Sequence, residues 1–121
     1  MTKPKNTKNK FEGKSFLLTS HVTFSSATML TAAFKCYNMG IIIGEETGGL
    51  LESFGDVISI QLPNTKILAG CSHKKFVLSC STGDIQGVKP DYEIKLNIDN
   101  RKNESDPAIE KVKELILKQN Q

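Results

Sequence analysis

A serine at the start of a predicted helix is the first residue in this chain whose type and position could do chemistry. Ser25 and Ser26 stand in the segment Thr23-Phe-Ser-Ser-Ala-Thr28, between a short apolar run and an amphipathic stretch. The backbone N–H groups of a helix's first turn are unpaired and carry partial positive charge, so they can stabilise the oxyanion formed when a hydroxyl attacks a carbonyl. Serine and threonine are also the commonest helix N-caps. The local pattern therefore leaves a nucleophile and a simple cap both open.

The elements around Ser25 are predicted to form a parallel strand–helix–strand unit. Residues 15–20 form a short apolar run bounded by polar residues, which is typical of a buried strand. Residues 26–37 show helical spacing, and residues 41–43 form a second buried strand that ends at Gly44. Short connections between such elements favour a βαβ unit. The helix is expected to bury one face, made of Ala27, Leu30, Ala33, Phe34 and Tyr37.

The second half of the chain predicts further strands and a closing helix. Short strands are predicted at four places, residues 57–62, 66–69, 76–79 and 92–96. Asp106 can cap a last helix that ends near residue 118, and Pro107 suits its first position. The buried stripe of that helix is predicted to be Ile109, Val112 and Ile116.

Five motifs follow one another along the chain, and the series resembles a known family. The motifs are Phe16-Leu-Leu-Thr-Ser20, Thr23-Phe-Ser-Ser-Ala27, Ile43-Gly-Glu-Glu-Thr-Gly-Gly49, Leu62-Pro-Asn-Thr65 and Gly87-Val-Lys-Pro-Asp91. This series resembles the catalytic domain of the C-terminal processing (tail-specific) serine peptidases, a family that includes the tricorn-like proteases. The resemblance extends from about Gly13 to the final helix. It implies an α/β fold of the ClpP/crotonase type, with a mixed β-sheet and helices packed on it.

The resemblance implies a role for each serine of the pair. In that family the first serine at the start of the helix is the nucleophile, and this position is Ser25. The N–H of the next residue belongs to the oxyanion hole, and this position is Ser26. Ser26 as the nucleophile is the rival assignment, because it occupies the same strand-to-helix junction.

The resemblance also indicates which base works with the serine. One branch of the family uses a buried neutral lysine, but the matching position falls near Leu50, and Lys35 lies inside the predicted helix. The tricorn-like branch resembles the chain better, and it uses a histidine oriented by an acidic residue. That acidic residue is Asp84 here, where the branch usually has Glu. Asp84 in Thr-Gly-Asp fits an ordinary turn residue equally well.

The family's histidine comes from a segment well before the serine, so the chain is expected to hold the C-terminal part of the catalytic domain. This part would span residues 14–121, after a flexible lead-in at 1–13. His21 and His73 are the two histidines of the chain, and no family motif assigns either as the base. The expected function is serine-type peptide-bond hydrolysis through an acyl-enzyme, with little activity in this chain alone. A non-catalytic remnant that binds a peptide or partner, and an acyl-CoA-handling enzyme of the same fold, are the alternatives.

Composition narrows the classes of partner. The 121 residues are 38% hydrophobic and 24% charged, which is typical of one small globular domain. The net charge of +3 comes largely from lysines near the ends, and only 7% of residues are aromatic, so nucleic-acid binding is not expected. No apolar run is long enough to span a bilayer. No tight Cys/His spacing suggests a metal, and no cofactor is expected.

Cysteines and strand edges leave two further questions open. The three cysteines are Cys36, Cys71 and Cys80, and an odd number argues against a complete disulfide framework. Cys71 and Cys80 could pair if they face each other on neighbouring strands. Part of a spiral core would leave strand edges uncovered, which invites pairing with another copy. The expected partners are therefore a peptide or protein substrate and a second copy of the chain.

Overall fold

The described part of the chain folds into five strands and three helices. The computed structural model describes residues 11–118 except residues 84, 96 and 104. Its elements are β1 (Phe16–Thr19), α1 (Ser26–Cys36), β2 (Ile41–Gly44), β3 (Glu52–Gln61), β4 (Leu68–Val77), β5 (Tyr92–Glu93), α2 (Ile98–Lys102) and α3 (Pro107–Leu117). The lead-in predicted for residues 1–13 falls mainly on residues 1–10, which lie outside the described residues.

Strands β1 and β2 form a parallel pair connected by α1, and this confirms the predicted βαβ unit. Phe16 pairs with Ile41, and Thr19 pairs with Gly44. The short strand β5 pairs with the other edge of β2 and is also parallel, so the strand order is β1–β2–β5. Because the carboxyl ends of parallel strands meet at one edge, the loops that follow β1 and β2 leave the sheet side by side, where open α/β sheets commonly bind ligands.

Strands β3 and β4 form a long antiparallel hairpin. At its open end, away from the turn, Glu52 pairs with Val77. The segments predicted as separate strands at 66–69 and 76–79 are the two ends of the single strand β4. Within the described residues, the strands thus divide between a parallel sheet and this hairpin, rather than forming one mixed sheet. An isolated bridge between Leu50 and Gly87 lies just before the hairpin.

Helix α1 buries Phe34 as predicted, but the rest of its buried face differs from the predicted one. Its buried residues are Thr28, Thr31, Ala32 and Phe34, whereas Leu30 is 56% exposed. The hydroxyls of Thr28 and Thr31 donate hydrogen bonds to the carbonyls of Thr23 and Ala27, at 3.2 and 2.8 Å. A threonine whose hydroxyl is satisfied in this way can be buried without cost from an unpaired polar group. The prediction was wrong because it counted apolar side chains only.

Helix α3 begins and ends close to the predicted residues, but its predicted buried stripe is wrong. The Asp106 side chain accepts hydrogen bonds from the N–H groups of Ala108 and Ile109, at 2.9 and 3.3 Å. No residue of α3 is buried, and Ile109 and Ile116 are 43% and 45% exposed. Because β5 has only two residues, the parallel sheet offers little surface for this helix to cover. Among the described residues, no helix combines the length and the apolar character needed to cross a membrane.

A small core and one disulfide join α1 to the segment after β4. The core consists of Ala32, Phe34, Ile42 and Val88, with Leu17, Leu51 and Leu78 packed against it. Cys36 at the end of α1 is bonded to Cys80, with their Cα atoms 5.7 Å apart. Cys71, considered from the sequence as a partner of Cys80, is a free and exposed cysteine. It lies within β4 opposite Ile58, whereas Cys80 lies beyond the end of that strand, where the chain returns to α1.

Candidate active site

Ser25 lies at the N-terminal end of α1 in an unusual backbone conformation. Its φ is 52° and its ψ is −122°, which is the mirror image of an ordinary turn conformation and mainly suits glycine. Holding another residue type in such a region costs on the order of 1–3 kcal/mol. The residue is exposed, and its side chain makes no capping hydrogen bond. Ser25 is therefore not a simple helix cap, and its hydroxyl is free to meet a ligand.

The first turn of α1 offers the backbone amide expected for an oxyanion hole. Ser26 is the first residue of the helix, so its N–H has no partner four residues earlier within the helix. The N–H of Ala27 donates to the carbonyl of Phe24 at 3.0 Å, and that of Met29 donates to the carbonyl of Ser25 at 3.0 Å. The turn that contains Ser25, residues 23–26, is called the serine turn below. These hydrogen bonds connect it to the helix, while the Ser26 amide takes no part in the helical hydrogen bonding.

Hydrogen bonds centred on Thr23 fix the turn that precedes Ser25. The N–H of Thr23 donates to Ser20 O at 2.8 Å, and the N–H of Ser20 donates to Thr23 Oγ1 at 3.0 Å. The Thr23 carbonyl accepts from the N–H of Gly49 at 3.0 Å and from the Thr28 hydroxyl at 3.2 Å. The turn is held from both sides, which is how a protein maintains a strained residue such as Ser25.

Two glycines of the third motif let the loop after β2 approach the serine turn. A Cβ atom on Gly49 would lie 2.1 Å from Thr28 Oγ1 and 3.3 Å from Phe24 Cα. A Cβ atom on Gly48 would lie 1.9 Å from His21 O. Only a residue without a side chain fits such close approaches. The motif Ile43–Gly49 therefore supports the serine turn by direct backbone packing.

Three hydrogen bonds connect the third motif (residues 43–49) to the fifth motif (residues 87–91). Thr47 takes part in two of them and Glu46 in one. The N–H of Thr47 donates to Val88 O at 3.2 Å, and the N–H of Val88 donates to Thr47 Oγ1 at 2.8 Å. The N–H of Gly87 donates to Glu46 Oε1 at 2.8 Å. The loop that supports Ser25 is therefore anchored in turn by the Gly-Val-x-Pro-Asp motif, although the two motifs are far apart in sequence.

Asp91, the last residue of that motif, has a structural role. Its carboxylate accepts from the N–H of Ile42 at 2.8 Å and from Lys35 Nζ at 3.1 Å, and Lys35 also donates to Lys89 O at 2.6 Å. Partial burial raises the pKa of Asp91, but the hydrogen bonds from Ile42 and Lys35 outweigh it and hold the pKa below its ordinary value. Asp91 thus joins β2, α1 and the fifth motif. The Lys35 ammonium binds Asp91 and the Lys89 carbonyl, so its role here is structural.

Asp84, the predicted acidic partner of a histidine base, lies outside the described residues, so its role stays a prediction. The chain is anchored on both sides of it. Cys80 is bonded to Cys36, and Gly87 donates its N–H to Glu46.

Both histidines have partners among the described residues. His21 Nδ1 lies 2.8 Å from Glu45 Oε2, and the His21 N–H donates to the same oxygen at 3.2 Å. These hydrogen bonds from His21 hold the pKa of Glu45 below its ordinary value. His73 Nδ1 contacts the backbone carbonyl of Asp56. The sequence prediction missed the His21–Glu45 pair, because Glu45 was read only as part of the third motif.

A cavity of about 440 Å³ opens beside Ser25, between the start of α1 and the base of the β3–β4 hairpin. Leu50 borders this cavity, so the position at which the lysine branch was expected to carry its base holds an apolar residue next to the serine. Glu45 borders a different cavity, which it shares with Asp106 and Pro107. Glu45 and Ser25 therefore border different depressions of the surface, and His21 is not a lining residue of either one.

An exposed serine held in a strained strand-to-helix turn, beside the amides of a helix start, is typical of hydrolases that use a serine nucleophile. No group of three or more His, Cys, Asp or Glu side chains in the described part of the chain could hold a metal ion. The family model of peptidase family S41 matches residues 1–94, which is most of the chain. The chain therefore belongs to peptidase family S41, the C-terminal processing serine peptidases, in agreement with its motifs. No curated protein matches the chain significantly.

Proposed function

We propose that this chain carries the nucleophile of a serine endopeptidase, with Ser25 Oγ as the attacking atom. The Oγ atom forms a bond to the carbonyl carbon of a peptide while the hydroxyl proton passes to a base. The C–N bond then breaks as that proton moves to the leaving nitrogen, which leaves an acyl-enzyme that water hydrolyses. In this scheme the Ser26 N–H stabilises the negative oxygen of the tetrahedral intermediate.

The backbone conformation of Ser25 is the observation that carries this proposal. A serine with φ 52° whose side chain makes no capping hydrogen bond is a costly arrangement for a purely structural residue. The hydrogen bonds to Thr23 O and the close approach of Gly49 hold that arrangement in place. Ser26, by contrast, is an ordinary first residue of the helix, which makes it a poorer nucleophile candidate and a better oxyanion donor.

The resemblance supports a finer placement within the family. We propose the tricorn-like branch, with a ClpP/crotonase-type fold and a histidine base that Asp84 orients. Leu50 beside Ser25 and Lys35 bound to Asp91 disfavour the lysine branch. His21 and His73 contact Glu45 and Asp56 and make no hydrogen bond to Ser25, so we propose that the base is a histidine outside this chain and that the chain alone has little activity.

Reaction with a fluorophosphonate, which labels activated serines, tests the nucleophile. The full-length protein should be labelled on the peptide that contains Ser25, as read by mass spectrometry. Ser25→Ala should abolish the label, while Ser26→Ala should keep it, because alanine retains the backbone N–H. A label that persists in Ser25→Ala and disappears in Ser26→Ala would reverse the two roles.

A binding protein without hydrolytic activity is the second candidate function. The observation that favours it is that, among the described residues, the two histidines contact Glu45 and Asp56, and neither makes a hydrogen bond to Ser25. Such a protein would bind peptides, resist fluorophosphonate and release no cleavage products. Incubating the full-length protein with a mixture of unstructured peptides and analysing them by mass spectrometry separates the two functions.

We also propose that copies of the chain associate through strand edges. Within the described residues, β3 and β4 pair only with each other over most of their length, and unpaired strand edges tend to recruit further strands. Light scattering should show a mass that rises with protein concentration. A constant monomer mass up to high concentration would refute this association.

A further inference from the structure

The cavity beside Ser25 has walls of apolar side chains, and several of these side chains are exposed. The six large apolar residues around it are Phe24, Met29, Leu50, Phe54, Phe76 and Leu78. Phe54 is 70% exposed, Phe24 is 63% exposed and Met29 is 52% exposed. Removing apolar surface from water is favourable. Their grouping around one exposed serine is therefore a surface that an apolar ligand group would stabilise.

The cavity presents no unpaired charge among its described lining residues. Asp56 is the only ionisable residue on its wall, and the Asp56 carboxylate lies 3.1 Å from Lys74 Nζ. Lys74 Nζ also lies 5.4 Å from the centre of the Phe76 ring, so this ammonium has an aromatic neighbour as well. A charged ligand group in the cavity would lose its hydration without gaining a free partner of opposite charge, which is unfavourable.

Two glycines leave room in the cavity because they have no side chains. Gly49 and Gly55 border it without side chains. The volume of about 440 Å³ lies in the lower part of the range of ligand pockets, roughly 300–1,000 Å³. It suits one large side chain with its adjoining backbone. An alanine side chain would leave most of this volume empty.

We propose that this cavity binds a large apolar side chain, such as leucine or phenylalanine, of the peptide residue whose carbonyl Ser25 attacks. The assignment to that residue follows because Ser25 itself borders the cavity, so the side chain inside it belongs to the residue nearest the reacting carbon. The inference rests on the proposed function of Ser25. It adds the substrate class, which is peptide bonds that follow a large apolar residue.

Peptidyl diphenyl phosphonates that differ only in their terminal side chain test this proposal by the rate at which they label Ser25. The leucine and phenylalanine probes should react at least tenfold faster than the lysine and glutamate probes. Met29→Glu should raise the lysine rate relative to the leucine rate, because it places a carboxylate on the cavity wall. Leu30→Glu is the matched control, since Leu30 is the neighbouring residue on α1, is 56% exposed and does not border the cavity. It should leave the ratio unchanged. Equal rates for all probes, or the same ratio change in both variants, would overturn the proposal.

A binding measurement that needs no chemistry separates failure of the cavity from failure of the nucleophile. The amide signals of Gly49 and Gly55 should shift in NMR spectra when N-acetyl-leucinamide is added, and shift much less with N-acetyl-lysinamide. Selective shifts without any phosphonate or fluorophosphonate label would support the cavity and refute Ser25 as a nucleophile. A fluorophosphonate label on Ser25 without selective shifts would refute the cavity and leave the nucleophile intact.

Discussion

The backbone N–H of Gly49 donates a hydrogen bond of 3.0 Å to the carbonyl of Thr23, two residues before Ser25. This bond connects the loop after β2 to the turn after β1, at the edge of the sheet where both strands end. It forms only because Gly49 has no side chain, since a Cβ atom there would lie 2.1 Å from Thr28 Oγ1. The conformation of Ser25 therefore depends on a residue in another motif.

Gly49→Ala is expected to reduce the reactivity of Ser25 as well as stability. The added methyl group must displace Thr28 or the serine turn, and such overpacking costs about 1–3 kcal/mol. Fluorophosphonate labelling and thermal unfolding of the same samples give both effects. Gly70→Ala is the matched control, because its Cβ atom would meet mainly the Val57 side chain, at 2.8 Å, on the exposed hairpin. Equal losses of labelling in both variants would contradict a specific role for Gly49.

Ser25→Gly is expected to be more stable than Ser25→Ala by about 1 kcal/mol, because glycine adopts positive φ without strain. The two variants both lack the hydroxyl, so their difference reports the backbone alone. Urea denaturation measures it. At Ser26 the order should be reversed, since glycine lowers helix stability relative to alanine by up to about 1 kcal/mol. If Ser25→Gly were no more stable than Ser25→Ala, the strained conformation of residue 25 would not exist in solution.

The sequence predicted those parts of the fold that depend on neighbouring residues. The βαβ unit follows from periodicity and short connections, and the Asp106 cap of α3 follows from two adjacent residues. The position of Ser25 at the start of α1 was predicted in the same way. Its backbone angles were not, because they result from contacts with Thr23 and Gly49.

Features that depend on distant partners were missed. The bond between Cys36 and Cys80 spans a sequence separation of 44, and nothing in the local pattern favoured it over a pairing with Cys71. The predicted buried face of α1 was right for Phe34 but missed Thr31, which is buried with its hydroxyl satisfied by a backbone carbonyl. The pairing of His21 with Glu45 likewise depends on β1 and β2 lying side by side.

Asp91→Asn is expected to remove a pH-dependent part of the stability. The pKa of Asp91 is lower in the folded chain than its ordinary value of 3.8, so its contribution is fully present above pH 3.8 and is lost as the pH falls towards the folded value. The difference in unfolding free energy between wild type and Asp91→Asn should thus be largest near neutral pH and shrink below pH 3.8. Urea denaturation at several pH values measures it. Lys35→Met should remove only part of this dependence, because the N–H of Ile42 still donates to Asp91. A difference that stays constant with pH would contradict the assigned role.

Loss of the disulfide is expected to destabilise the chain strongly. For a sequence separation of 44, the loop-closure estimate is about 4 kcal/mol at 25 °C. Cys36→Ser and Cys80→Ser should each show a loss of this order in urea denaturation, and a reductant should give the same loss in wild type but none in either variant. Cys71→Ser is the control and should change stability by less than about 0.5 kcal/mol, because Cys71 is exposed and unbonded. If reduction of the bond left the stability of the wild type unchanged, the bond would contribute little.

His21→Gln is expected to leave the fluorophosphonate labelling of Ser25 in the full-length protein unchanged. His21 is directed at Glu45 and its side chain is 71% exposed, and Glu45 faces a different cavity from Ser25. Because the His21 side chain is largely exposed to solvent, only a small loss of stability should accompany the change. Glu45→Gln should behave in the same way, since it retains an acceptor for the His21 N–H. Removal of a general base typically slows a reaction by about 10²–10⁴-fold. Ser25→Ala gives the background labelling. A decrease of that size in the labelling rate of both variants would instead make His21 the base and Glu45 the residue that orients it.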